Sequence, residues 1–277
     1  MSYQQYRPNS FNVLPLVVKN LLIINGILFF ATYVFIQSFG FDLTEHLALF
    51  YYSSPKFRIW QLFTHLFMHA SVMHIFSNMF ALWMFGSILE NFLGSKKFLN
   101  YYILTGIGAS ILFMGVQYFE LSPLQKQVEI YSAQPSAVNF EKFIVENVPD
   151  QIQPNFNEIL SFYSANPVSA EAKTASVELA NAYLNAKINT ATLGASGAVF
   201  GILLAFGMLF PNALIYIYFF FPLKAKYLVI LYGAFELYSG VANNPGDNVA
   251  HFAHLGGMLI GFILLKAWNI KRSDSLF

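Results

Sequence analysis

The sequence predicts an all-α, polytopic membrane protein: a bundle of six transmembrane helices with an extracytoplasmic helical insertion between helices 3 and 4. Three observations lead to this fold class. Of the 277 residues, 56% are hydrophobic and only 10% are charged, whereas soluble domains carry about 25% charged residues. Apolar runs long enough to span a bilayer recur along the chain. Residues 120–190 interrupt them with a segment rich in Asn, Gln, Ser, Ala and Glu.

Six segments fit spanning helices. In chain order they cover about 17–39, 74–93, 98–118, 193–210, 225–239 and 249–268. The first is too long for the core of a signal peptide and lacks a clear cleavage site of small residues, so we interpret it as a span. The loop 40–73 is aromatic and is expected to lie in the membrane interface. The run 213–221 is apolar but too short to span.

The segments define a simple domain organisation. A membrane domain is expected over 17–268, interrupted by the insertion at 120–190, with short cytoplasmic tails at 1–16 and 269–277. Inside the insertion, short helical patterns each carry one apolar stripe. Such helices need a surface to pack on, so we expect a small helical cap near the outer ends of the spans. A solvated, disordered loop is the alternative.

The composition excludes several classes of function. A formal net charge of +1 does not suggest a nucleic-acid partner. The expected partners are the lipid bilayer and other membrane proteins. The chain contains no cysteine, which rules out disulfides, thiol nucleophiles and cysteine zinc sites. No cofactor is expected.

The basic residues predict the orientation. With six spans, nine of the 15 Lys and Arg residues fall on the side that holds both termini, whereas the other side receives the acidic insertion. By the positive-inside rule both termini are cytoplasmic and the insertion lies outside. The absence of cysteine and the short tails favour a bacterial inner membrane.

A serine and a histidine are candidates for a nucleophile and its base. Ser196 lies between glycines at the start of helix 4, and His254 lies near the start of helix 6. In the predicted topology helices 2, 4 and 6 all run inward from the outer side. The two side chains therefore lie at a similar depth, beside helix N-termini whose partial positive charge suits an oxyanion.

Paired glycines indicate that these two helices approach closely. Gly197 and Gly201 are four residues apart on helix 4, and Gly257 and Gly261 are four apart on helix 6. Small residues at this spacing let membrane helices pack closely, as a hydrogen bond between Ser196 and His254 requires. A chance occurrence of common membrane glycines is the alternative.

Other polar residues are expected near this pair. His74 and Asn78 share a face of helix 2 and could donate hydrogen bonds to an oxyanion, or could only bridge helices. Phe200 is one turn after Ser196 and could stack on the ring of His254. No Asp or Glu is an obvious candidate for the third residue of a catalytic triad with Ser196 and His254. We expect Glu236, inside helix 5, to be structural, with a solvated position as the alternative.

A metal site is not expected. His65 and His69 are four residues apart, a spacing that can bind zinc. The chain has no HExxH motif and no carboxylate ligand near the pair in sequence. We therefore interpret both histidines as loop-structuring or water-contacting residues.

Together these residues resemble the rhomboid family of intramembrane serine proteases, over about 17–119 and 191–268. The matching residues are Trp60 to His65, His69, His74 to Asn78, Gly86, Glu90, Gly94-Ser95, Gly194 to Gly197, Ala253-His254, Gly257 and Gly261. Two features depart from the family. Gln61 stands where the family often has Arg after Trp60, and minimal members lack the insertion.

The resemblance implies a water-filled cavity open to the outside and a Ser196–His254 dyad that cleaves transmembrane proteins near the outer membrane surface. It also implies that Phe200 stacks on the histidine, that His74, Asn78 and the backbone N–H of Ser196 form an oxyanion hole, and that His251 has no catalytic position. The expected substrates are single-pass or polytopic membrane proteins. The alternatives are an inert relative that binds transmembrane helices, or a transporter or channel.

Overall fold

The computed structural model describes residues 11–217, 220–242 and 249–271, and these are mostly helical. The helices are α1 Leu16–Phe39, α2 Leu43–Leu47, α3 Gln61–Thr64, α4 Val72–Leu93, α5 Ser95–Ala133, α6 Ala137–Asn147, α7 Gln153–Ala165, α8 Ala170–Ile188, α9 Ser196–Leu209, α10 Ala225–Ala242 and α11 His251–Ala267. Two antiparallel strands, β1 Leu214–Ile217 and β2 Phe221–Lys224, form a hairpin. The segment from Asn243 to Asp247, whose Asn, Pro and Gly residues predict a turn, lies outside the described residues.

Several helices suit a membrane. Within the described part of the chain, α1, α4 and α5 are long and apolar enough to cross it. Helices α9 and α11 are also apolar but shorter, with 14 and 17 residues. Large apolar side chains on α1, such as Ile27, Phe30 and Tyr33, are exposed, as expected for a surface that faces lipid. The helices fit a membrane bundle of the predicted kind, and the count of six spans stays a prediction.

Helix α9 is the centre of the bundle. Eleven of its 14 residues are buried, because its sequence is apolar on every side and lacks the polar stripe of a surface helix. It packs against α5 and α11 along its length and against α4 and α10 more locally. Phe206 contacts Phe85 of α4, with ring centroids 5.0 Å apart. The residues at the N-terminus of α9 are therefore held from several sides.

The third predicted span differs from the structure. We expected it to end near Tyr118, but α5 continues to Ala133 and has 39 residues. After Tyr118 the sequence becomes more polar, yet Leu121, Leu124, Val128 and Tyr131 continue a buried stripe at helical spacing. Hydropathy marks where a helix can leave the membrane, whereas the stripe marks where the helix itself ends.

The insertion is helical and has a hydrophobic core of its own. The end of α5 packs with α6, α7 and α8 around a buried set of side chains: Tyr131, Phe140, Phe143, Ile144, Phe156 and Ala180. Contacts with the loop 40–60 hold its base: Leu49 pairs with Thr192, and the hydroxyl of Ser54 bonds Asn189 at 2.7 Å. The insertion is thus helical in the described residues, and its location near the outer ends of the spans stays a prediction.

Candidate active site

Gly194 shapes the turn that leads into α9. Its φ of +123° lies in a region that favours glycine, and its N–H donates to the carbonyl of His65 at 2.9 Å. A Cβ at this position would lie 2.7 Å from His74 Nε2. Ser196, two residues later, is the first residue of α9. The turn therefore requires glycine for its backbone angle and for the space beside His74.

Ser196 and His254 lie within hydrogen-bonding distance. The distance from Ser196 Oγ to His254 Nε2 is 2.8 Å. The backbones of α9 and α11 are in contact where the glycines meet, since a Cβ on Gly257 would overlap the carbonyl oxygen of Gly197. A Cβ on Gly201 would lie 3.2 Å from the carbonyl oxygen of Gly257. A Cβ on Gly261 would lie 3.2 Å from the Cα of Gly201. The four predicted packing glycines thus lie where α9 and α11 approach each other.

Two contacts fix the imidazole of His254. The ring of Phe200 stacks on it, with centroids 4.1 Å apart and an interplanar angle of 6°. On the edge away from Ser196, His254 Nδ1 lies 2.8 Å from Glu236 Oε2. His254 is only 8% exposed. The ring is therefore held both on its face and at its edge.

Glu236 is buried and hydrogen-bonded, as the preferred interpretation of the sequence expected, but its contact with His254 was not predicted. It is buried on α10, and its Oε2 also lies 2.6 Å from Nδ1 of His251. The alternative of a solvated carboxylate is therefore wrong. The signal in the sequence was the spacing of His251 and His254, which puts both imidazoles on one face of α11, beside a carboxylate that needs partners in a membrane.

His74 and Asn78 lie beside the turn that precedes Ser196. His74 Nδ1 accepts from the backbone N–H of Ala70 at 3.4 Å, which leaves Nε2 on the side of Gly194. Asn78 Nδ2 is buried without a hydrogen-bond partner among the described residues, and a Cβ on Gly194 would lie 3.7 Å from it. A buried donor without a partner requires an explanation. An oxyanion in this space would be an acceptor for it.

His65 and His69, in the loop before α4, are both buried. His65 donates from Nδ1 to the carbonyl of Gln61 at 2.7 Å, and burial lowers its pKa to about 4. Burial, with a smaller contribution from His74, lowers the pKa of His69 to about 4 as well. Both imidazoles are thus neutral at pH 7. His65 supports the site through its carbonyl, which accepts from Gly194.

One cluster in the described residues has the composition of a metal site. The ligand atoms of Glu236, His251 and His254 lie within 4.8 Å of one another. The same atoms are separated by hydrogen-bond distances of 2.6 and 2.8 Å. Hydrogen bonds between the imidazoles and the carboxylate account for this geometry. His65 and His69 do not belong to such a cluster in the described part of the chain.

Comparison with known proteins gives an independent result. A family model described as "Rhomboid domain" matches residues 56–120 and 157–268, together well over half of the chain. Two curated relatives, both named Rhomboid protease GlpG, come from Salmonella newport (strain SL254) and Salmonella heidelberg (strain SL476). Each is 50% identical over 42 residues, which is 15% of this chain and 15% of the relative's own length. The residues matched by the family model include Ser196, His254, Glu236 and both pairs of packing glycines.

Proposed function

The chain belongs to the rhomboid family, and from that premise we propose that it is an intramembrane serine endopeptidase acting through Ser196 and His254. One observation carries the proposal: Ser196 Oγ lies 2.8 Å from His254 Nε2, at the N-terminus of a buried apolar helix. A nucleophile and a base within hydrogen-bond reach form the arrangement that activates a serine hydroxyl. The stacked ring of Phe200 supports the same assignment, because it holds the imidazole in place.

The proposed reaction follows the general course of serine hydrolysis. Ser196 Oγ attacks the scissile carbonyl while His254 Nε2 takes its proton. His74 Nε2, Asn78 Nδ2 and the backbone N–H of Ser196 donate to the resulting oxyanion. His254 then protonates the leaving amine, and water hydrolyses the acyl-enzyme with the same base. Neither a metal nor a cofactor takes part in any step.

The proposed substrates are transmembrane proteins, single-pass or polytopic, cleaved near the outer surface of the membrane. The chain is an integral membrane protein of a family whose members act in the bilayer.

We also propose that both tails, 1–16 and 269–277, face the cytoplasm of a bacterial inner membrane, whereas the insertion, 120–190, lies outside. The distribution of lysine and arginine supports this orientation. A cytoplasm-active reporter should work when fused after Phe277 and fail when fused within 130–180.

The decisive experiment compares Ser196→Ala and His254→Ala with the unchanged protein, both in cells and after purification. A tagged single-pass membrane protein serves as the substrate. Ser110→Ala is the matched control, since this buried serine bonds only a carbonyl of its own helix in the structure. We expect both variants of the pair to lose cleavage while staying folded, and the double variant to be no worse than either, because the pair acts as a unit. Cleavage by purified Ser196→Ala would refute the mechanism.

A catalytically inert relative that only binds transmembrane helices is the alternative. Labelling with a serine-reactive fluorophosphonate separates the two functions without a known substrate. An active site should label at Ser196 and lose the label in His254→Ala, since the hydroxyl needs its base. A folded protein that does not label would favour the binding function.

A further inference from the structure

We propose that Glu236 is a positioning residue for His254, so that this chain works with three residues in line, Ser196, His254 and Glu236, instead of a serine–histidine pair alone. The inference rests on the proposed function, which it deepens. It starts from the two distances along this line: 2.8 Å from Ser196 Oγ to His254 Nε2 and 2.8 Å from His254 Nδ1 to Glu236 Oε2.

The first step concerns which nitrogen of His254 carries the proton. An ionised carboxylate accepts hydrogen bonds and cannot donate them. Its position beside Nδ1 therefore selects the tautomer with the proton on Nδ1 and the lone pair on Nε2. That lone pair faces Ser196 Oγ. Only this tautomer can take the proton of the serine hydroxyl.

The second step concerns which edge of the ring faces the serine. The stacking of Phe200 fixes the plane of the imidazole, with an interplanar angle of 6°. Stacking cannot distinguish the ring from the same ring turned by 180° about its Cβ–Cγ bond, because this turn leaves the ring plane unchanged. The turned ring would present carbon atoms, Cε1 and Cδ2, where Nε2 now faces Ser196 and Nδ1 now faces Glu236. The hydrogen bond to Glu236 removes this freedom, because only one orientation places Nδ1 beside the carboxylate.

The third step concerns how the carboxylate is held. Glu236 is only 5% exposed, and a carboxylate inside a membrane protein needs polar partners. His251 supplies a second one, since its Nδ1 lies 2.6 Å from the same oxygen that His254 contacts. Because His251 and His254 belong to the same helix, α11 presents two donors to one acceptor on α10. We therefore assign His251 the role of fixing the position of Glu236.

The charges of the reaction agree with this arrangement. When Ser196 attacks, its proton moves to Nε2 and His254 becomes an imidazolium with protons on both nitrogens. Glu236 remains ionised, and its negative charge stabilises the imidazolium next to it. The proton then passes from Nε2 to the leaving amine, which restores the starting tautomer. No proton is transferred to Glu236 at any stage.

The experiment uses Glu236→Gln in the full-length purified protein, with Glu90→Gln as the matched control. Both substitutions remove the charge of a buried carboxylate and keep its shape, but Glu90 bonds the backbone N–H groups of Val17 and Val18 on α1. A glutamine amide can accept or donate, so it does not select a tautomer. We expect Glu236→Gln to lower kcat at least about 10²-fold, within the range attributed to acid–base catalysis, with KM within about threefold. Glu90→Gln should keep both constants.

A spectroscopic readout tests the same claim without cleavage. The ¹⁵N chemical shifts of histidine-labelled protein report which imidazole nitrogen is protonated, and His254→Ala identifies the signals of His254. We expect the Nδ1–H form in the unchanged protein and a mixture in Glu236→Gln. If Ser196→Ala still cleaved substrate, the proposed function would fail, but this measurement would still decide the role of Glu236.

Three results would overturn the inference. The first is a kcat for Glu236→Gln within about threefold of the unchanged protein. The second is a large loss of kcat while His254 keeps the Nδ1–H form, which would indicate a purely structural carboxylate. The third applies if Glu236→Gln does not fold. Glu236→Asp is then measured, which keeps the charge but retracts it by one methylene, and an unchanged kcat in that variant would contradict the inference.

Discussion

Glu90 and Glu236 are buried carboxylates in different regions of the bundle, and they differ mainly in the kind of hydrogen-bond donor that they contact. Glu90, near the end of α4, is 2% exposed and Glu236 is 5% exposed. Glu90 accepts from the backbone N–H groups of Val17 and Val18 at 3.0 and 2.9 Å, and from the hydroxyl of Ser95 at 2.6 Å. Glu236 accepts instead from two imidazoles.

The difference means that burial alone would not tell a functional carboxylate from a structural one. Backbone N–H groups do not exchange their proton in a reaction, and their positions are fixed by the helix. Glu90 therefore joins the end of α4 to the first turn of α1. Its negative charge also suits the partial positive charge at the N-terminus of α1. An imidazole can gain or lose a proton within the physiological range. A carboxylate bonded to imidazoles can therefore control a reactive proton, whereas one bonded to backbone can only stabilise the fold.

The largest effect is expected from His74 and Asn78, the proposed oxyanion donors, which belong to the same candidate site as Glu236. His74→Ala and Asn78→Ala should each lower kcat, by about 10²–10³-fold for a principal oxyanion donor, with little change in thermal stability. Asn78 Nδ2 has no partner to lose among the described residues, so its removal should cost the fold little. Purified variants assayed for kcat and melting temperature test this. Unchanged rates in both variants and in the double variant would make the two residues structural.

The next effect concerns the contact that brings Ser196 and His254 together. Gly257→Ala should separate α11 from α9, since its Cβ would overlap the carbonyl oxygen of Gly197. A shift of about 1 Å can cost roughly 10²-fold in rate, and overpacking costs about 1–3 kcal/mol in stability. Fluorophosphonate labelling rates and thermal unfolding measure the two losses. Gly115→Ala is the control, because nothing lies within 4 Å of its Cβ; equal behaviour of both variants would contradict the prediction.

Substitutions at Glu90 and its partner should give the opposite result, a loss of stability without a loss of kcat. Glu90→Gln should lower the free energy of unfolding by about 2 kcal/mol, as expected for weakened hydrogen bonds to a charged group, and should leave kcat unchanged. Ser95→Ala removes only one of the three hydrogen bonds to Glu90 and should cost about 1 kcal/mol. Unfolding in mixed detergent measures both variants. A loss of kcat as large as that of Glu236→Gln would end the distinction between the two carboxylates.

The smallest effect on chemistry is expected from the insertion, which has its own core. Replacing residues 125–185 with a short Gly/Ser linker should leave Ser196 reactive toward fluorophosphonate and change cleavage only a few-fold, with more substrates accepted. Val168→Ser, at a position that is 99% exposed, is a control for surface changes. If the shortened protein cleaves several substrates just as the full chain does, the insertion does not restrict access.

Part of the molecule could be predicted from the sequence, and the reasons are physical. Long apolar runs identify α1, α4 and α5 as membrane-length helices because composition alone decides that property. The rhomboid resemblance is confirmed by the family model. The proximity of Ser196 and His254 was accessible because the glycines beside them record a close helix contact in the sequence itself. The catalytic roles of these residues stay predictions.

The rest depends on geometry that the sequence does not encode locally. Whether Glu236 faces His254 is decided by the rotation of α10 against α11, and half a turn would send the same carboxylate toward lipid. The length of α5 was misjudged because hydropathy was used to find the end of a helix. The run 213–221 showed no alternation that would predict the hairpin of β1 and β2, which forms where the chain turns between α9 and α10.

The continuous helix α5 has a consequence for how the chain can change length. It contains 39 residues, and each residue of an α-helix adds about 1.5 Å of rise and about 100° of rotation. One residue gained or lost near Glu120 would turn the rest of α5 by more than a quarter of a circle and break the hydrogen bond of Gln125 to Ser53. Insertions and deletions here are therefore tolerated only in nearly whole turns, as sets of about seven or eleven residues. The loops between α6, α7 and α8 carry no such restriction, so length variation among homologues should accumulate there.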